Sequence, residues 1–162
     1  GDQARSQALH TLSKIGDKSA WLWITREMLD DPDDGVARTA WRTAVALVPE
    51  DEKASLAEEL TRQLGRGDRG VQRSLSRELI NLGDMIEPIL ERAAQSLDPR
   101  VAAHARATEL LRQDPESGFE AAISEARLML TPGASSGKEP DAGMVGVESR
   151  VEPVGVQETM DC

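Results

Sequence analysis

Arg38, Arg42, Arg73 and Arg77 are the side chains whose type and spacing best suit contact with another molecule. Each pair is four residues apart, so on a helix its two guanidiniums share a face. A guanidinium stays charged and presents its donors as a flat fork, which matches the oxygens of a carboxylate or phosphate. The two pairs occupy matching positions in segments that lie in register, Arg38 over Arg73 and Arg42 over Arg77. Helical units stacked at roughly 10 Å then set the four charges in one cationic patch, fit for an acidic or phosphorylated segment. Ser6 and His10 hold these positions one segment earlier, and Ala103 and Ala107 one segment later, so the patch is bounded. The competing reading pairs the arginines with Asp31, Asp34, Asp68 or Glu78 and lays their stems over apolar surface.

Trp21 and Trp23 are two apart and cannot share a helix face. Trp21 and Trp41 are expected between packed helices, which leaves Trp23 as an exposed apolar anchor for a partner. Arg62, Arg66, Arg69 and Arg73 form a second basic cluster around Gly65–Gly70 and read as a solvated turn.

Other chemistry finds no residue set. His10 and His104 fall in different segments, and a metal site needs three or four ligands. Cys162 is the single cysteine, which excludes an intrachain disulfide and a cysteine-based zinc site. No nucleophile elbow or phosphate-binding loop occurs, and the Gly65–Gly70 glycines follow no strand. The adjacent carboxylates Glu58-Glu59 and Asp30-Asp31 read as solvated, outside any cleft. No enzymatic activity, metal or cofactor is expected.

The elements that must position these side chains repeat along the chain. The anchors Ala4, Val36, Val71 and Val101 lie 32, 35 and 30 residues apart, the self-similarity of a stacked helical array. Val36, Ala40, Ala44 and Leu47 form one apolar stripe, and Val71, Leu75, Leu79 and Leu82 repeat it. Periodicity and punctuation predict helices over Gln3–Lys14, Lys18–Leu29, Asp34–Leu47, Asp51–Leu64, Arg69–Leu82, Asp84–Ser96, Pro99–Arg112 and Glu116–Leu130. Asp98-Pro99 and Asp114-Pro115 each offer a capping carboxylate followed by a proline whose missing N–H costs nothing there. Gly16, Gly65 and Gly83 sit where chains leave helices. Consecutive helices then pair as antiparallel hairpins, each too small to cover its own apolar face.

Leu29-Asp30-Asp31-Pro32-Asp33-Asp34-Gly35-Val36 and Leu97-Asp98-Pro99-Arg100-Val101-Ala102 resemble the inter-helix turn and second-helix start of HEAT repeats. Leu12-Ser13-Lys14-Ile15-Gly16-Asp17 and its echo Leu79-Ile80-Asn81-Leu82-Gly83-Asp84 resemble their closing pattern. The likeness to this armadillo-like family covers residues 1–130. It implies an all-α fold, an α-solenoid of about four HEAT-like helical hairpins, acting as a protein-protein interaction scaffold whose second helices line a concave face. The alternative from another class is a nucleic-acid-binding, DNA-glycosylase-like HEAT fold with the same arginines on phosphates.

The 162 residues contain 2% aromatics and no tyrosine, so burial must rest on Leu, Ala, Val and Ile. The net charge of −10 argues against generic binding to nucleic acid or anionic membrane. No apolar run reaches the ~20 residues of a membrane span, and a reducing cytoplasmic or nuclear compartment is expected. Because the chain opens on Gly1 with Ala4 already at a repeat position, it reads as a fragment of a longer array. From Thr131 the composition turns to Gly, Pro, Ser and acids without period, so residues 131–162 are expected to form a disordered acidic tail. Within it, Val145–Glu152 alternates weakly, as a segment that pairs on binding would.

Overall fold

Four helix starts in the middle of the chain, those at Arg26, Asp34, Arg69 and Pro99, have a side chain that accepts an otherwise unpaired backbone N–H. Thr25 accepts from Met28, Asp33 from Val36, Asp68 from Val71 and Asp98 from Arg100, at 2.9–3.3 Å. The computed structural model describes residues 1–15 and 18–130. Among them are eight α-helices and no strand: α1 (Asp2–Ile15), α2 (Arg26–Leu29), α3 (Asp34–Leu47), α4 (Lys53–Thr61), α5 (Arg69–Asn81), α6 (Ile86–Ala93), α7 (Pro99–Gln113) and α8 (Gly118–Leu130). The fold is therefore all-α. No helix among the described residues is long and apolar enough to cross a membrane.

The chain divides into two compact units, Gly1–Ser124 and Glu125–Cys162. In the second, the described residues are 125–130, the last turns of α8. The expected disorder of residues 131–162 and the alternating stretch Val145–Glu152 lie outside the described residues, as does Gly16.

Within the first unit, packing is between neighbours. The pairs α2 with α3, α4 with α5 and α6 with α7 pack together. Across them, α3 lies against α1 and α5, α5 against α7, and α4 against α2 and α6. The repeated apolar stripes supply these contacts. Val36, Ala40 and Ala44 of α3 and Val71, Leu75 and Leu79 of α5 belong to one buried cluster running from Leu9 in α1 to Ala105 in α7. Ala37, Ala40, Ala44, Ala57 and Ala105 are fully buried in this cluster, so small side chains fill a core that has few aromatics.

Several boundaries differ from the sequence expectation, among them the predicted Asp84–Ser96, where α6 is Ile86–Ala93. The predicted helix Lys18–Leu29 is broken: a 3-10 turn covers Lys18–Trp23, and Thr25 adopts extended backbone to cap the short α2. Asp114 makes no side-chain cap; a 3-10 turn over Pro115–Ser117 follows, and α8 opens only at Gly118. The predicted Asp51–Leu64 opens as a 3-10 turn over Glu50–Glu52, and α4 itself is Lys53–Thr61.

Trp41 ties α3 to α2. It is fully buried, and its indole N–H donates to the Leu29 carbonyl oxygen at 2.9 Å, pinning α3 to the end of α2. Trp21 is half-buried, short of the full burial expected, because it leaves from the 3-10 turn rather than a helix face.

Candidate functional site

α3 and α5 carry the four arginines at equivalent turns, and the stripes that drive these helices together turn the arginines outward. Arg38, Arg42, Arg73 and Arg77 are all exposed. The acids proposed to neutralise them are mostly engaged elsewhere. Asp31 accepts two bonds from Arg5, at 2.5 and 3.1 Å. Asp34 pairs with Arg66 at 3.0 Å, and Asp68 caps α5. Glu78 remains: burial pushes its carboxyl above the usual range, while the charges of Arg42 and Arg77 pull it back. Arg42 and Arg77 thus both lie near one half-buried carboxylate, and Arg38 and Arg73 form no ion pair among the described residues.

The other arginines are spent on the scaffold. Arg66 bonds Asp34, Gln63 Oε1 and the Asp31 carbonyl, with its guanidinium 5.9 Å from the Trp41 ring centroid. Arg100 donates to the carbonyls of Gly65 and Gly67 at 3.0 and 2.9 Å. Gln63 reaches Asp30 at 2.9 Å. These bonds fasten each inter-helix turn to the next. They also disperse the second basic cluster read from the sequence, since Arg69 pairs with Glu120 and Arg62 borders a separate depression. That shallow depression, about 370 Å³, is lined by Glu58 and Glu59, so these carboxylates do border a cleft, paired there with Arg92 and Arg26.

Beside the arginines runs a groove of about 400 Å³ that the sequence reading missed. One wall is α5, with Arg73, Arg77, Ile80 and Asn81; the other is Leu111, Pro115 and Phe119. A signal for half of it exists in the sequence, because Arg73, Arg77 and Ile80 fall on one helix face. The other wall comes from residues more than thirty positions away, which no periodicity joins to them.

A Ser–His pair is also present. Ser76 Oγ lies 3.0 Å from His104 Nε2, both fully buried. Its chemistry is structural. The Gly65 N–H donates to Nδ1 at 2.9 Å, so the ring proton sits on Nε2 and points at the Gln72 carbonyl oxygen, 2.9 Å away. A nitrogen that already carries its proton cannot act as a base toward Ser76. Ser76 and Thr108 hydroxyls, 2.7 Å apart, continue the network to the His104 carbonyl. No cluster of three or more potential metal-binding side chains occurs among the described residues.

Trp23 is 69% exposed and stands next to Leu22, also exposed. It lies in the turn before α2, on a different element from the arginine-bearing helices. No protein-family model, curated protein or solved structure matches the chain.

Proposed function

We propose that this chain is a HEAT-like α-solenoid that works as a protein-interaction scaffold without chemistry of its own. It binds an acidic or phosphorylated segment of a partner protein, with Arg38, Arg42, Arg73 and Arg77 as charge anchors and Trp23 as a separate apolar contact. One observation carries the reading. In a chain of net charge −10, most arginines of α1 to α7 pair internally, while these four stand exposed at equivalent turns of adjacent helices. Surface charge left exposed in this way is available to a ligand.

A partner protein fits better than a nucleic acid. Phe119, the aromatic beside Arg73 and Arg77, is only 5% exposed, so it offers no face on which a base can stack.

The test is fluorescence anisotropy of the full chain with a fluorescein-labelled hexaglutamate peptide and a doubly phosphorylated serine peptide. The four-fold Arg→Glu variant is expected to bind at least roughly tenfold more weakly. Unchanged affinity overturns the arginine face. Tighter binding of an oligodeoxythymidine of equal charge, with steep loss in salt, moves the reading to nucleic acid.

A further inference from the structure

The groove along α5 combines two features that rarely meet by accident on an acidic surface. Its lining is apolar in Ile80, Leu111 and Phe119 and carries Arg73 and Arg77 on the α5 wall. Among the described residues, Arg73 has no ion-pair partner, and Arg77 lies near only the half-buried Glu78. The volume of about 400 Å³ falls in the range of sites that enclose a ligand group, and more than holds one large side chain. An apolar pocket with two exposed cations along one wall favours a ligand that is apolar at one point and negative beside it.

We propose that this groove seats one leucine- or phenylalanine-sized side chain of an acidic partner segment, with flanking carboxylates on Arg73 and Arg77. This rests on the arginine face described above and adds to it a specificity pocket. A purely charged segment meets the four arginines alone. A segment with an apolar residue between acids gains burial against Ile80 and Leu111 in addition. Neutral apolar peptides meet the pocket without the charges and are excluded by the cost of covering both guanidiniums. Leu111 and Ile80 are half-buried and Phe119 is packed edge-on against the His104 ring, 5.9 Å between centroids, so the lining is held in place before a ligand arrives.

The experiment uses the full chain and three labelled nine-residue peptides of Asp and Glu whose central residue is Leu, Phe or Ser. Leu- and Phe-centred peptides are expected to bind about tenfold more tightly than the Ser-centred one, the gain from burying one such side chain. Methyl resonances of Ile80 and Leu111 are expected to shift only with the first two. Arg73→Gln with Arg77→Gln is expected to weaken all three peptides, and because both positions are exposed the variant keeps its fold, checked by its thermal unfolding. Equal binding of all three peptides, sensitive to Arg38→Gln and Arg42→Gln, overturns the pocket and leaves the arginine face standing. Absence of binding by any of them at low salt overturns both. A Leu-centred peptide with Lys in place of its acids binding as tightly overturns the role given to the two guanidiniums.

Discussion

His104 on α7 accepts a hydrogen bond at 2.9 Å from the backbone N–H of Gly65, thirty-nine residues earlier, in the turn that precedes α5. The bond joins the turn before α5 to the body of α7 through one buried ring, and it requires that ring to be neutral. Protonating Nδ1 would set two donors face to face.

Acid should therefore loosen this joint. Burial lowers the His104 pKa from 6.5 to about 4. Between those values the unfolded chain takes up a proton that the folded one refuses, so stability falls as pH drops from about 6.5 to 4 and levels off below. The full effect is at most about 3 kcal/mol. Urea unfolding at pH 7, 5.5 and 4 measures it, and His104→Gln is expected to be less stable at pH 7 yet to lose less on acidification. Equal slopes in both proteins would contradict the assignment.

Arginines of the two kinds should respond oppositely to removal. Arg66→Ala loses bonds to Asp34, Gln63 and a backbone carbonyl together with its packing on Trp41, and is expected to cost about 1–3 kcal/mol. Arg73→Ala removes an exposed side chain and is expected to stay within about 0.5 kcal/mol of wild type. Denaturant midpoints of the two single variants decide it. A comparable loss for both would make Arg73 part of the scaffold.

Much of this was legible in the sequence, and the part that was not shares a cause. Apolar stripes at helical spacing located α3 and α5, Asp98-Pro99 marked the start of α7, and the two-residue offset between Trp21 and Trp23 marked one of them for the surface. These signals are local, as helices are. The partners of Asp31, His104 and Arg100 are tens of residues away and often backbone atoms, which leave no mark on composition or period. The groove hides for the same reason, since Leu111 and Phe119 meet Ile80 only after α5 and α7 pack. The break before Thr25 carried a local sign that helical periodicity masked: a threonine three residues before Met28, whose N–H it accepts.

Gly67 and Gly83 should differ when each is changed to alanine. Both hold positive φ, +75° and +99°, where a side chain costs about 1 kcal/mol in strain. At Gly83 a Cβ meets nothing within 4 Å, so that strain is the whole cost. At Gly67 it falls 2.8 Å from Val71 Cβ and 2.9 Å from its Cγ1, atoms fixed in the buried first turn of α5. Gly67→Ala is expected to lose about 2–3 kcal/mol, combining strain with overpacking. Thermal unfolding of the two variants tests the order, and Gly83→Ala being the worse would refute it.

Tryptophan fluorescence offers an independent check on which indole is free. Trp41 is sealed and hydrogen-bonded, Trp21 is half-buried, and Trp23 stands in solvent. Trp23→Phe should thus remove the most acrylamide-accessible emission and shift the remaining spectrum to the blue, with a stability change within about 0.5 kcal/mol. Trp41→Phe should do the reverse, deleting the most protected emission, and should cost about 2–4 kcal/mol through the lost bond to the Leu29 carbonyl and the space left between α2 and α3. If Trp23 also contacts a partner, its emission is the one that moves on binding. Strong protection of Trp23 from acrylamide in the isolated chain would instead place it in a contact of the chain with itself, and would remove it from the binding surface.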